Sequence, residues 1–130
     1  MTKEELKKRT NTFALRVFKF LMAFEYSKPV SVVSNQLFRA ASSVAANDRS
    51  ACRGKSNADF LNKLKIVDEE ADESLFWLEF IRDLEIKSDK KELDILIKEA
   101  NELVSIFSAA IRTIKSKNSQ SSQSLKAVES

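Results

Sequence analysis

The stretch FLNKLKIVDEEADESLFWLEFIRDL, residues Phe60 to Leu84, decides the fold. Phe60, Leu64, Val67, Ala71, Leu75 and Leu78 recur at spacings of three and four, the stripe of an amphipathic helix. At about 100° per residue, Ile66, Trp77, Phe80 and Leu84 fall on the far side, interleaved with Glu69, Glu70 and Glu73. A helix that is apolar on two sides needs two sets of neighbours. One is its own bundle, and the other is most simply a second subunit.

Working outward, the composition agrees with long helices. With 130 residues the chain suits one domain, and its single Gly and single Pro are too few for a protein of many tight hairpins. The absence of His removes the commonest catalytic base and metal ligand, and the lone Cys52 has no partner for a disulfide or thiolate cluster. Arg53 beside Cys52 would lower the thiol pKa, but a nucleophile without a base reads more simply as a packed or idle thiol. Di-metal bundles of the ferritin kind use Glu-x-x-His pairs, so Glu69, Glu70, Asp72 and Glu73 are expected to form a solvated or salt-bridged patch rather than a metal site. No enzyme activity, metal or cofactor is expected. A solitary cysteine fits a reduced, cytoplasmic setting. The charged start, Met1 to Glu5, is unlike a signal peptide, and charges interrupt every apolar run, so no membrane partner is expected.

Four helices and a tail follow from caps and stripes. Thr2 with Glu5 resembles a capping box, opening a helix over residues 2–27 with Leu6, Phe13, Val17, Phe20, Leu21 and Phe24 inward and Leu15 and Phe18 outward. Ser27-Lys28-Pro29 ends it. A second helix, 31–52, turns Val33, Leu37, Ala40, Val44 and Ala51 inward, and Gly54 is expected to supply a left-handed residue after it. Ser56 with Asp59 opens the third helix, 56–84. Asp89 with Glu92 opens a fourth over 89–115, which has the most regular stripe, from Leu93 to Ile114. Residues 116–130, rich in Ser and Gln, are expected to be disordered, with Leu125 to Val128 a short candidate recognition element. Short connections between helices of this length predict an all-α, up-down-up-down antiparallel four-helix bundle, and the second face of helix 3 predicts a homo-oligomeric ring.

Charge is unevenly distributed. Residues 1–28 hold seven Lys or Arg against three acids, residues 29–58 four against one, and residues 59–87 four against nine. Lys8, Arg16 and Lys19, with Arg9 beside them, form a stripe on helix 1 that suits phosphate contacts with little sequence discrimination. The same stripe also suits a solvated face or partners for the carboxylates of helix 3. The outer face of helix 2 carries Arg39, Arg49 and Arg53 around the small Ser42 and Ala46, where another helix could approach and the arginines could form forked bonds to Glu69 and Glu73, within or between subunits. Asn47, at the edge of the inner stripe, is a candidate buried amide with Glu70 as its carboxylate partner, a pair that would set helix register; the alternative is a solvated helix edge.

Across three helices, Gln36-Leu37, Arg39, Ser43-Val44, Asn47, Ala51-Cys52-Arg53, Ser56, Phe60, Lys63-Leu64, Ile66-Val67, Glu70-Ala71-Asp72-Glu73, Trp77-Leu78-Glu79, Asn101-Glu102-Leu103 and Ile106-Phe107 resemble, in order, the small bacterial four helix bundle family also called the 23S rRNA intervening-sequence protein family. The resemblance covers most of residues 10–115 and implies a homopentamer with RNA or another nucleic acid as partner. Related-looking retroelement accessory proteins are basic pentameric barrels that bind nucleic acid and a reverse transcriptase. Asp48 stands where that family leads one to expect an apolar or aromatic residue, Ser50 stands where an acid is common, and a net charge of +3 is mild for a nucleic-acid binder. Two functions are therefore weighed: an RNA-binding ring using helices 1 and 2, and a structural adaptor that docks another protein without RNA.

Overall fold

The computed structural model describes the backbone of residues 1–129 and the side chains of residues 1–119. Four helices follow one another, α1 (Lys3–Met22), α2 (Lys28–Ala51), α3 (Asn57–Asp83) and α4 (Lys90–Glu129), with no strand among the described residues. Each packs on its neighbours in the chain, and α1 closes the bundle against α4. Pairs across the seams run in opposite order, Thr10 with Asp48 and Phe18 with Phe38 between α1 and α2, Arg9 with Glu99 and Arg16 with Glu92 between α1 and α4. The helices are therefore antiparallel there. Phe13, Val17, Leu37, Val44, Val67, Leu78, Leu103 and Phe107 fill the core. Each such side chain removed from water stabilises the fold by about 1.5–3 kcal/mol.

The caps explain where the helices begin. Thr2 Oγ1 accepts from the Glu5 amide and Glu5 reaches back to the Thr2 amide, a full capping box. Ser56 Oγ accepts from Asp59 N at 3.1 Å and Asp89 Oδ1 from Glu92 N at 3.1 Å. The first connection differs from expectation: α1 stops at Met22, and Pro29 lies inside the first turn of α2 beneath the Ser27 cap. In a first turn the missing proline N–H has no intrahelical acceptor to lose.

Two turn residues exchange roles. Gly54 is not left-handed; its lack of Cβ instead allows a close approach, since a Cβ there would lie 3.2 Å from the Ala51 carbonyl oxygen and 3.4 Å from Phe60 N. The left-handed residue is Glu85, with φ of 56°. Its amide bonds Arg82 O at 3.0 Å and the Ile86 amide bonds Ile81 O at 3.2 Å, the paired bonds of a Schellman turn, while Ile86 packs back on the core.

Ile114 is the last described side chain packed against the core, and Lys115 to Ser119 are exposed. The helix itself nevertheless continues to Glu129, past the boundary near 115 expected from composition. Its intrahelical ladder needs no apolar face, only the backbone. The side chains of Leu125 to Val128 lie outside the described ones.

The buried polar link between α1 and α2 is Asp48, and not Asn47. Asn47 is half-buried and donates within its own helix, to Ser43 O and Ser43 Oγ at 2.9 Å, with no bond to Glu70. Asp48 is buried and lies 3.2 Å from Thr10 Oγ1, which is 3.1 Å from Lys7 O. A single hydroxyl proton cannot serve both oxygens. Thr10 Oγ1 therefore donates to Asp48 Oδ2 or to Lys7 O, one at a time. Burial pushes the Asp48 carboxyl above its ordinary range, opposed by the Thr10 bond and the Lys7 charge.

Candidate nucleic-acid and subunit interfaces

The basic stripe of α1 divides between two uses. Arg9 grips Glu99 through Nε at 2.8 Å and Nη2 at 2.6 Å and also bonds Glu102; Arg16 is bidentate on Glu92 at 2.9 and 2.8 Å. Hydrogen bonding to these carboxylates raises the pKa of both guanidinium groups. Arg9 and Arg16 thus neutralise acids across the α1–α4 seam. Lys8 and Lys19 are exposed and lie in no ion pair among the described residues.

The arginines of α2 divide in the same way. Arg39 bonds Glu70 at 3.2 Å and also Glu73, within one subunit, and the Arg39 bond holds the Glu73 carboxyl below its usual range. Arg49 and Arg53 are exposed, and neither they nor Glu69 enter an ion pair among the described residues. The expected pairing of arginine with helix-3 carboxylate therefore holds at Arg39 and is absent, within the chain, at the other two.

The unpaired cations gather at one end of the bundle, where α1 and α3 begin and α2 ends. Arg49, Arg53, Lys55 and Lys63 line a shallow hollow of about 610 Å³ in which Asp59 is the one acid. Beside it Lys3, Lys55 and Lys117 border a second hollow of about 400 Å³, with Lys3 Nζ 4.5 Å from the centre of the Phe60 ring. Cys52 is exposed at this end and borders the second hollow. Lys55 and Lys63 were not singled out in the sequence. The signal that could have found them is their position straddling the break between α2 and α3, where the chain folds them onto the arginines.

A groove of about 630 Å³ runs between α1 and α2, with Lys8, Arg49 and Arg53 toward one end and Phe18 stacked at 5.2 Å on Phe38 toward the other. On α3, Ile66, Phe76 and Phe80 are exposed. Trp77, expected among them, is half-buried against the core, with Nε1 3.5 Å from Glu73 Oε1. Phe76 takes the outward place, its ring 5.8 Å from that of Phe80. Among the described residues no group of His, Cys, Asp or Glu is arranged to hold a metal, and no helix is long and apolar enough to cross a membrane.

The sequence matches the family described as 23S rRNA-intervening sequence protein over residues 2–109. Among solved structures, a protein of unknown function from the S23 ribosomal protein family of Bacteroides thetaiotaomicron VPI-5482 is 28% identical, with a TM-score of 0.75 over 86% of this chain and 99% of that one. No curated protein matches.

Proposed function

Because the chain belongs to the 23S rRNA-intervening sequence protein family, we propose that it is a non-enzymatic, homo-oligomeric bundle that binds RNA. The observation that carries this reading is the collection of Arg49, Arg53, Lys55 and Lys63 around one hollow without carboxylate partners other than the nearby Asp59. Cations placed this way meet phosphates of a folded backbone and read shape more than sequence. Arg9 and Arg16 are left to the α1–α4 seam, while Lys8 extends the basic end along α1. Lys19 stands apart, roughly 16 Å farther along the helix.

Filter retention of a structured RNA tests the proposal. The three contacts of Arg53, Lys55 and Lys63 give a slope of log affinity against log salt of about −3. Lys55→Glu with Lys63→Glu should abolish retention at low salt while the far-ultraviolet circular dichroism stays unchanged. Equal retention by wild type and this variant would remove the RNA reading. A protein partner captured from nuclease-treated lysate, combined with no RNA retention, would favour the adaptor instead.

A further inference from the structure

Two apolar surfaces of this chain are left open, and they are complementary. Leu15, Phe18 and Phe38 line the α1–α2 groove; on α3 Phe76 and Phe80 lie together, with Ile66 about three turns nearer the N-terminus beyond Glu69 and Asp72, and all six are between 37% and 53% exposed. The Phe18–Phe38 and Phe76–Phe80 ring pairs are the apolar centres of these two surfaces, and exposed rings grouped in this way suit an interface. The groove is cationic, with Lys8, Arg49 and Arg53 and no acid in its lining. The α3 stripe is acidic, with exposed Glu69 and Asp72 beside it and Lys65 half-buried at its edge.

Their spacing also corresponds. From Phe38 to Arg49 is eleven residues of helix, about 16 Å, and from Glu69 to the midpoint between Phe76 and Phe80 is nine, about 14 Å. A helix of the α3 kind laid in the groove can therefore set its aromatic rings on the Phe18–Phe38 pair and its carboxylate on Arg49 at the same time, which leaves Arg53, Lys55 and Lys63 to meet phosphate at the basic end. We propose that the outward face of α3 on one copy docks into the α1–α2 groove of a second copy, parallel to that copy's α1; this rests on the homo-oligomeric part of the function above.

The other self-pairings carry like-charge conflicts. Stripe on stripe brings two mainly acidic surfaces together and groove on groove two cationic ones, with no opposite charge to answer either. Stripe in groove alone pairs opposite charges. Such an interface is heterologous, so each copy retains one unused groove and one unused stripe until the set closes on itself. Direction matters as well. The aromatic end of the groove is the C-terminal half of α1 and the aromatic end of the stripe is the C-terminal half of α3, so the docked helix points the same way as α1. Within one antiparallel bundle α1 and α3 share a direction, so successive bundles stand side by side with their cationic ends on one face. One RNA could then touch several copies at once, which multiplies weak contacts.

The test uses full-length protein freed of RNA by nuclease and high salt, followed by sedimentation. Wild type should sediment as a multimer. Phe18→Asp spoils the groove and Phe76→Asp spoils the stripe, and each alone should sediment as a 14.7 kDa subunit. Mixed together they should form a one-to-one dimer and nothing larger, because one intact groove meets one intact stripe. Monomeric wild type overturns the proposal, as does a mixture that stays monomeric. Arg49→Glu and Glu69→Lys, both at exposed positions where folding is not at stake, give a second reading. Each should weaken association about tenfold and the double variant should recover it; a double variant as weak as the singles overturns the pairing. RNA retention by Lys55→Glu/Lys63→Glu is read separately, so loss of RNA binding with an intact multimer faults the basic end and not the docking.

Discussion

The two flanks of α1 use the same residue types for opposite purposes. Toward α4, Arg9 and Arg16 meet Glu99, Glu102 and Glu92 and become part of the bundle's packing. Toward α2, Lys8 and the arginines beyond it face a groove without acids, and Leu15 and Phe18 stand open beside them. Formal charge therefore says little about binding surface. A guanidinium with a forked carboxylate partner is held by the fold, and one without is available to a phosphate or another subunit.

The largest effect on this comparison is expected at the buried link that holds α1 to α2. Thr10→Val leaves the Asp48 carboxyl without its partner and should cost about 2 kcal/mol, read from urea unfolding. The same link sets a pH dependence. The native Asp48 pKa lies above that of the unfolded chain, so the folded state retains a proton that the unfolded state has released. Its contribution is fully present below the ordinary carboxylate range and is lost as pH rises through the raised value. Asp48→Asn keeps an acceptor for the Thr10 hydroxyl and removes the titration, so wild type minus variant stability should decline with pH above about 4. A difference that rises with pH would show Asp48 buried as the anion.

A smaller effect is expected on the α4 flank. Arg9→Ala leaves Glu99 and Glu102 without their cation and should lose about 1 kcal/mol, less at high salt, with RNA retention unchanged. On the other flank Lys8→Ala should change stability by less than about 0.5 kcal/mol and lower the salt slope of RNA retention by about one. Arg9 and Lys8 are adjacent in the chain, so this pair of measurements separates seam from surface directly. Equal effects of the two on both readouts would dissolve the distinction. The smallest effect belongs to Glu73→Gln. It weakens a half-exposed contact with Arg39 inside one subunit, so a few tenths of a kcal/mol in stability and no change in sedimentation are expected.

Much of this bundle is legible in one dimension. Thr2, Ser56 and Asp89 cap helices as their spacing indicates, and the stripes Phe13-Val17-Phe20, Leu37-Val44-Ala51 and Leu93 to Phe107 are buried as their period requires. The candidate sites were less legible. Arg9 and Arg16 looked equivalent to Lys8 because their partners are some 75 to 95 residues away in sequence, on a helix whose rotation about its own axis no spacing rule gives. Trp77 and Phe76 differ by one position, about 100° of rotation, which is enough to exchange which ring packs on the core and which faces out.

What the residues alone determine is the set of local preferences: helix-forming stretches, their caps, their apolar faces and the family to which they belong. Those depend on neighbours within about a turn. The tertiary structure decides that Asp48 rather than Asn47 is the buried polar group, that Glu85 rather than Gly54 turns left-handed, and that the cations of α2 and α3 share one end of the bundle. Burial and charge pairing are properties of the distance between helices, and that distance exists only once the helices have packed.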